Sequence, residues 1–299
     1  MLFFKKQPII VIHDGRFHAD DIFACAVLRL HTGKKGKIIR TRDPEIIAGA
    51  DFVADVGGIY DPAKKMFDHH QHGGAGIREN SIPYAAFGLV WKEYGAAISG
   101  SPEIAVIVER NIVLPIDAGD NGVTTFESIP GKPFPYLVQG AFSAFMPTWK
   151  EDNAIIDAHF VQLVDIAQMI LEREITQARD YIEGERELKK IYESAEDKRV
   201  LVFGRMYPWE QALIQFPEPL LVVASRDGKK WKVETTLVAP GSFERRMKLP
   251  ESWAGLRDEE LQKVTGVSDA TFCHNGRFIA TAKTKEGALA LAKLAFEQK

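Results

Sequence analysis

Residues 8–30 read PIIVIHDGRFHADDIFACAVLRL, and they set the first step of the fold. The run PIIVI at 8–12 is short, apolar and β-branched, which is typical of a strand buried on both faces. Residues 20–30 carry apolar side chains at helical spacing, and Asp20 and Asp21 occupy the first turn, where carboxylates favour a helix. The stretch therefore predicts a strand, a polar loop and a helix.

The same alternation continues along the N-terminal half of the chain. Further strands are predicted at 37–41, 52–56, 65–68 and 111–117, and further helices after Asp43-Pro44, at 81–95 and at 102–110. Strands that alternate with helices favour a mostly parallel sheet with helices on both faces. We therefore predict an α/β fold, with this sheet in a domain over residues 1–150.

The rest of the chain has a different pattern of residue composition. Residues 151–197 are helical in composition and predict a connector of one helix or two, because Gly184 could interrupt it. From 198 to 299 β-rich runs return, with a hairpin signal at Asp227-Gly228. These patterns predict a smaller C-terminal α/β domain, closed by a helix at 284–297.

The composition is that of an ordinary globular protein, with 45% apolar and 26% charged residues in a chain of 299. A net charge of −3 gives no general basic surface, so a nucleic-acid partner would need a local basic patch. We recognise no signal peptide, transit peptide or 18-residue apolar run, and expect a cytoplasmic protein that does not span a membrane. Cys25 and Cys273 are expected to be buried thiols, and the apolar residues at 155–171 would suit a homodimer.

Residues with metal-ligand chemistry gather where the predicted strands end. In chain order they are His13, His18, Asp20, Asp55, Asp68, His69, His70, Asp117 and Asp120. In open parallel sheets, ligands bind beyond the carboxyl ends of the strands. Four separate segments are therefore expected to deliver histidine and aspartate to one edge of the sheet.

So many carboxylates and imidazoles in one place would repel one another unless cations were bound. Carboxylate and imidazole without thiolate suit Mn²⁺ best, with Mg²⁺ and Co²⁺ as the main alternatives. Six or seven ligands are too many for one tetrahedral site but suit two ions that share a bridging carboxylate. Such a pair could hold a hydroxide for attack on phosphorus, and Gly73 and Gly74 would leave backbone N–H groups free for anionic oxygens.

Each part of this pattern also has a simpler explanation. Asp20 and Asp21 could merely favour a helix N-terminus, and Asp117 and Asp120 could be turn residues, since Asp-Asn-Gly is a turn signal. His72 could be a solvated loop residue. Taken together, however, metal-ligand residues at four strand ends are unexpected by chance. The sequence has no GxSxG, HExxH or GxxxxGK[ST] motif that would point to another chemistry.

Four motifs follow one another in a familiar order: HDGRFHADD, DVGGIYDP, FDHHQHG and DAGDNG. FDHHQHG carries the Asp-His-His signature of the DHH phosphoesterase superfamily, and the set resembles its Myg-type branch, the melanocyte-proliferating-gene family. LPESWAGLRDEEL and GRFIATAKTKEGALALA resemble that family's C-terminal motifs, so the similarity covers nearly the whole chain. The resemblance implies a DHH-like N-terminal domain and a metal-dependent hydrolase, with eukaryotic relatives that resemble 3′–5′ RNA exonucleases.

Carried over residue by residue, the resemblance implies a set of roles. The metal ligands would be His13, His18, Asp20, Asp55, His69 and either Asp120 or Asp117, with Asp55 as the bridge and Asp120 preferred. The catalytic candidates are His70, which would face the substrate, Asp68, which would orient the histidine pair, and His72. The substrate-binding candidates are Arg16, Gly73, Gly74, Arg78, His274 and Arg277, of which the last two stand in CHNGRF, where the wider superfamily has a GGGH motif.

Three functions are compatible with these observations. The first is a 3′–5′ exonuclease or oligonucleotide phosphodiesterase that uses two divalent ions on short RNA or DNA, and the family resemblance favours it. The second is a small-molecule phosphatase or pyrophosphatase, which a net charge of −3 favours. The third is a non-enzymatic metal-binding module, against which the intact ligand set speaks.

Overall fold

The computed structural model describes residues 7–127, 129–225, 227–239 and 241–297. The chain forms two compact units, Met1–Arg179 and Asp180–Lys299. The predicted division into 1–150, 151–197 and 198–299 stays a prediction.

The first unit is built around a five-stranded sheet. Its strands are β1 (Ile9–Ile12), β2 (Lys37–Arg40), β3 (Phe52–Ala54), β4 (Tyr60–Asp61) and β5 (Met66–Phe67). Its helices are α1 (Ala19–His31), α2 (Pro44–Ala48), α3 (Ala86–Ser99), α4 (Pro102–Val108), α5 (Leu114–Asp120) and α6 (Val138–Ser143). The strand order is β2-β1-β3-β5-β4, and all neighbours are parallel except β4, which runs antiparallel at the edge. The predicted mostly parallel α/β sheet is confirmed.

Helices cover both faces of this sheet because successive side chains of a strand point to opposite sides. On one face, the rings of Phe52 and Phe67 contact Tyr94 of α3. On the other, Val11 and Val53 pack in a cluster with Ile47 of α2. Burial on both sides explains why β1 and β3 read as continuous apolar runs.

The strand predicted at 111–117 is wrong. The chain there forms a π-helical turn, Glu109–Val113, which continues into α5. A short apolar run such as NIVLPI has no periodicity that separates a buried strand from a buried helix. Pro115 in the first turn of α5 is compatible with a helix, because that position needs no backbone N–H.

A single helix of 39 residues, α7 (Ile156–Ser194), replaces the predicted connector of one helix or two, and Gly184 does not interrupt it. By length and composition alone, Asn153–Ser194 is the one helix among the described residues that could cross a membrane, and the expectation that the protein spans none stays a prediction. Phe160, Leu163 and Val164 along this helix are fully buried within the fold.

The second unit contains a mixed five-stranded sheet. Its strands are β6 (Val200–Phe203), β7 (Leu221–Ser225), β8 (Trp231–Thr235), β9 (Ala270–Cys273) and β10 (Ile279–Ala282), in the order β6-β7-β8-β10-β9. Its further helices are α8 (Trp209–Ala212), α9 (Asp258–Thr265) and α10 (Lys285–Glu297). β7 and β8 pair antiparallel across Asp227-Gly228, so the predicted hairpin is confirmed. Cys25 and Cys273 are both buried and unpaired.

Candidate metal centre

Three parallel strands end at one edge of the first sheet and deliver the central side chains. His13 follows β1, Asp55 follows β3, and the run Asp68 to His70 follows β5. Because β1, β3 and β5 are neighbours in parallel register, their carboxyl ends bring these residues together.

Two helices complete the cluster. His18 is the residue before α1, and Asp20 and Asp21 lie in its first turn, where the helix dipole favours negative charge. Asp120 is the last residue of α5. The Asp120 carboxylate therefore lies at the end of a helix, and not at the end of a strand as the sequence predicted.

Asp55 lies at the centre of the arrangement. Its Oδ2 is 3.2 Å from Nε2 of His13, and its Oδ1 is 3.2 Å from Nε2 of His69. The backbone of Asp55 is in the left-handed region, with φ of 50°, a conformation that aspartate tolerates better than most residues. The two oxygens of one carboxylate thus face two different histidines.

The remaining ligand-type atoms lie around this carboxylate. His69 Nε2 is 3.4 Å from Asp120 Oδ2, and His18 Nδ1 is 3.9 Å from Asp120 Oδ1. Three groups each bring their ligand atoms within 4.8 Å of one another: His13, His18 and Asp21; Asp55, His69 and His70; and His18, Asp20 and Asp120. The structure therefore brings together six of the seven predicted ligands.

His13 shows how much negative charge the cluster concentrates. Its Nδ1 lies 2.7 Å from the backbone carbonyl of Asp14, which fixes that nitrogen as a donor. Its Nε2 then faces two carboxylate oxygens, from Asp21 at 3.0 Å and from Asp55 at 3.2 Å. Burial disfavours the charged ring, but Asp21 and Asp55 raise the pKa of His13 to about 10. A proton or a metal ion must therefore stand between these atoms.

Asp20 makes the same point more strongly. Its side chain has 0% exposure, and neither carboxylate oxygen has a hydrogen-bond partner within the described part of the chain. Burial, followed by repulsion from Asp55, Asp120 and Asp21, raises the pKa of Asp20 well above its ordinary value. An unpaired buried carboxylate is costly, so this oxygen pair is a suitable ligand for a cation.

The charges around Asp55 favour its ionised form, unlike those around Asp20. Burial would raise the pKa of Asp55, but His13 and His69 hold it below its ordinary range. Burial likewise opposes the charged form of His69, while Asp55 and Asp120 raise its pKa. Oxygen and imidazole donors without thiolate, with four carboxylates in one buried cluster, fit divalent cations.

His70 is held in one orientation by Asp68. Its Nδ1 donates to Asp68 Oδ1 at 2.8 Å, and the same oxygen accepts from the backbone N–H of His70 at 3.0 Å. The other oxygen of Asp68 accepts from the backbone N–H of Gly58 at 2.6 Å. The ring of His70 is largely exposed, so its Nε2 is available to a bound molecule.

Asp117 lies apart from the three ligand groups. Its Oδ2 accepts from Nη2 of Arg78 at 2.7 Å, and its Oδ1 accepts from the backbone N–H of Gly88 in α3 at 3.0 Å. Burial raises the pKa of Asp117 to about 6, although Arg78 opposes the shift. Arg78 also donates to Glu109 at 2.9 Å, so the guanidinium predicted to bind substrate is occupied by two carboxylates.

A cleft of about 650 Å³ opens beside the cluster. Its lining includes His13, His18, Asp55 and His70, together with two exposed arginines, Arg16 and Arg42. Arg16 was predicted as a substrate-binding residue, and the structure places it in this lining.

The glycine-rich loop lies beyond the histidines. Gly73 and Gly74 have φ of 84° and 71°, values that glycine adopts without strain. The N–H of Gly74 already donates to the carbonyl of Gln71 at 2.9 Å, so it is not free for an anion as predicted. His72 is exposed in the same loop.

His274 and Arg277 belong to the second unit, in the turn between β9 and β10. The N–H of Gly276 donates to Nδ1 of His274 at 2.9 Å, and the backbone N–H of Arg277 donates to its carbonyl at 2.8 Å. Their predicted substrate role stays a prediction.

Sequence reasoning missed two residues of this site. Asp21 was interpreted only as a helix N-terminal acid, although it faces His13. Arg42 follows β2 by two residues, and the strand-end rule that found His13 and Asp55 would also have found it.

Comparison with known proteins adds the family. Residues 9–296 match the family model MYG1_exonuc, described as an uncharacterised protein family (UPF0160). A protein named MYG1 exonuclease from Bos taurus is 31% identical over 332 residues, which cover 98% of this chain and 85% of that protein. The Homo sapiens protein of that name is 29% identical, with coverage of 98% and 86%.

The chain was also compared with solved structures. The structure of RecJ in complex with Mn²⁺ from Thermus thermophilus is 12% identical to this chain. The match covers 98% of this chain and 52% of the RecJ chain, at a TM-score of 0.29. A TM-score this low supports no statement about fold or function. The family model, in contrast, spans nearly the whole chain, so the chain belongs to the MYG1_exonuc family that the ordered motifs predicted.

Proposed function

We propose that this chain is a divalent-metal-dependent phosphoesterase that removes nucleotides from the 3′ end of short RNA or DNA. The observation that carries the proposal is Asp55, whose two carboxylate oxygens face His13 on one side and His69 on the other. A carboxylate placed between two sets of ligands suits a pair of ions, which is a common arrangement in nucleases and phosphatases. The relatives named MYG1 exonuclease support the nuclease class.

The ligand groups indicate which residues would bind each ion. His13, His18 and Asp21 form one group and would contribute to one ion. Asp20 and Asp120 belong to another group, and they would contribute to the second ion together with His69, whose Nε2 lies 3.4 Å from Asp120 Oδ2. Asp55 would be available to both. Two divalent ions, when bound, would supply an activated water and neutralise charge on the phosphoryl group. Mn²⁺ is the first choice, with Mg²⁺ and Co²⁺ as alternatives, because the donors are oxygen and imidazole nitrogen.

The chain's own residues would then orient the substrate and move a proton. His70 donates through Nδ1 to Asp68, so when the ring is the doubly protonated imidazolium, its Nε2–H would donate to a phosphoryl oxygen or give its proton to the leaving oxygen. Asp68 is anchored by the backbone of Gly58, so the ring is held in place before substrate arrives. Arg16 and Arg42 line the same cleft and would pair with phosphate oxygens.

The size of the cleft favours a second candidate, hydrolysis of small phosphorylated molecules such as pyrophosphate. A volume of about 650 Å³ lies within the usual range for small-molecule pockets. A net charge of −3 also provides little general attraction for a long polyanion. Salt separates the candidates, because binding of an oligonucleotide weakens steeply with ionic strength and binding of a small phosphate weakens less.

The test is metal-dependent hydrolysis by chelator-stripped protein with Mn²⁺, Mg²⁺ or Co²⁺ added back. Substrates would be a short RNA and a short DNA, each labelled at either end, with pyrophosphate and a chromogenic phosphodiester. Asp55→Ala and His69→Ala remove central ligands. Asp165→Ala and His159→Ala are matched controls on α7, outside the three ligand groups.

We expect stepwise shortening from the 3′ end that disappears in both site variants and persists in both controls. Release of label only from the 5′ end would reverse the proposed polarity. Hydrolysis of pyrophosphate or the chromogenic diester without shortening of either oligomer would establish the second candidate. Activity that survives Asp55→Ala would exclude this cluster as the catalytic centre.

A further inference from the structure

The segment from Asn121 to Lys150 exposes aromatic rings to solvent. Six of its thirty residues are aromatic, twice the 10% of the whole chain. Phe134 is 62% exposed and Tyr136 is 78% exposed. Large aromatic side chains grouped at a surface mark an interaction site, because burying them on binding is favourable.

Two points of this segment are tied to the candidate metal centre. It begins directly after Asp120, which lies beside His18 and His69. Further along it, Oε1 of Gln139 in α6 accepts a hydrogen bond from the backbone N–H of Ala19 at 2.6 Å. Ala19 stands between His18 and Asp20, so Gln139 touches the turn that supplies three ligand-type side chains.

The exposed rings are close to that contact along the chain. Tyr136 precedes Gln139 by three residues, and three residues span at most about 11 Å. The Tyr136 hydroxyl lies 3.4 Å from the carbonyl of Gly140, which restrains the ring beside α6. Phe134 meets Phe126 edge to face, with ring centroids 4.9 Å apart. The platform, defined here as Phe134 and Tyr136, is therefore held near the metal centre with ring surface exposed.

The charge of the segment suits a polyanion. Its charged side chains are one acid, Glu127, and two lysines, Lys132 and Lys150, in a chain whose net charge is −3. The segment itself thus carries no net negative charge that would repel phosphate. Bases of single-stranded nucleic acid combine flat π-faces with an anionic backbone, and proteins bind them with aromatic rings and nearby positive charge.

We propose that Phe134 and Tyr136 form a stacking platform for the bases of a single-stranded oligonucleotide whose terminal phosphodiester lies at the metal centre. The inference rests on the proposed function and adds to it the substrate class, an unpaired strand. Stacking on a ring tolerates any base, so the platform selects single strands over duplexes and not one sequence over another.

The test compares Phe134→Ala, Tyr136→Ala and the double variant with the unaltered protein. Tyr136→Phe keeps the ring and removes only the hydroxyl. Ile129→Ala is the matched control, because Ile129 is also 62% exposed in the same segment but is not aromatic. The readouts are KM for a labelled single-stranded decamer, KM for a chromogenic phosphodiester, and fluorescence of a 2-aminopurine placed in the decamer.

Each alanine is expected to raise the decamer KM by about tenfold and to reduce quenching of 2-aminopurine on binding. The chromogenic diester, Tyr136→Phe and Ile129→Ala should stay within about twofold of the unaltered protein. An unchanged decamer KM in the double variant would overturn the proposal, as would an equal loss with Ile129→Ala.

Two further results would separate failure of the proposed function from failure of the stacking platform. If the unaltered protein hydrolyses no phosphoester with any metal, the proposed function fails. The 2-aminopurine titration with Mn²⁺-loaded protein still decides the platform in that case, because binding needs no turnover. If the double variant converts a dimer to a monomer in sedimentation without changing decamer binding, the rings form a contact between copies and the platform is excluded.

Discussion

Asp20→Asn is expected to stabilise the metal-free protein and to destabilise the metal-loaded one. The substitution keeps the shape of the side chain and removes its charge. In the structure the Asp20 carboxylate is fully buried, its oxygens have no hydrogen-bond partner among the described residues, and Asp55 and Asp120 repel it. The sign of the effect should therefore depend on whether a cation is bound.

The stability that Asp20→Asn gains without metal is smaller than the stability that it loses with metal. Each unit by which the fold raises the pKa of Asp20 costs about 1.4 kcal/mol at neutral pH, and asparagine avoids this cost because it carries no charge. Without metal, Asp20→Asn should therefore raise the free energy of unfolding by about 1–3 kcal/mol. A site filled at about 1,000 times its Kd contributes about 4 kcal/mol to stability. If the variant weakens one site a thousandfold, nearly all of that contribution is lost. The loss exceeds the gain, so the order of stability should reverse on addition of Mn²⁺.

The assay is chemical unfolding of both proteins in chelator and in excess Mn²⁺, with calorimetric titration to count bound ions. Asp165→Asn, on the exposed side of α7, is the control and should show no reversal. A variant that is less stable than the unaltered protein in chelator, by as much as in Mn²⁺, would refute the reasoning. It would mean that Asp20 stabilises the fold through protein contacts and not through a cation.

Two further predictions concern the network around Asp117. Because burial raises the pKa of Asp117 from 3.8 to about 6, its contribution to stability is present below pH 3.8 and is lost as pH rises through 6. The free energy of unfolding of the unaltered protein, relative to Asp117→Asn, should therefore fall by up to about 3 kcal/mol between pH 4 and 7 in urea titrations, and a constant difference would contradict this. Gly88→Ala gains about 1 kcal/mol of helix propensity, but its new methyl group would overlap the Asp117 carboxylate and the Arg78 guanidinium. We expect a net loss of about 1–3 kcal/mol in the same assay, and a more stable variant would show that the pair can move aside.

The strand ends of the site could be predicted because their cause is local. β1, β3 and β5 each combine a short apolar run with an immediate polar residue, and parallel strands bring their ends to one edge. That reasoning placed His13, Asp55 and His69 together without any knowledge of tertiary contacts, and the geometry agrees.

The helical part of the site could not be predicted in the same way. Asp117 and Asp120 were assigned to a strand end, but they lie on α5, where one points to Arg78 and the other to the histidines. Which way each residue of a helix faces depends on what packs around it, and here Gly88 of α3 leaves space for the Asp117 carboxylate. That contact joins residues far apart in sequence, so no local pattern announces it.

Arg40 at the end of β2 also constrains how the molecule can be divided. Its guanidinium donates to the carbonyl of Gly15 and to Asp157 of α7, both at 2.6 Å, and lies 4.6 Å from the ring centroid of Phe160. The loop that carries His13 and His18 is thus braced by a helix that begins after the predicted boundary at 150. A fragment truncated there would remove the carboxylate of Asp157 and the ring of Phe160 from Arg40 and expose the apolar surface that Phe160 covers. We therefore expect the part that carries the candidate metal centre to be less stable without α7.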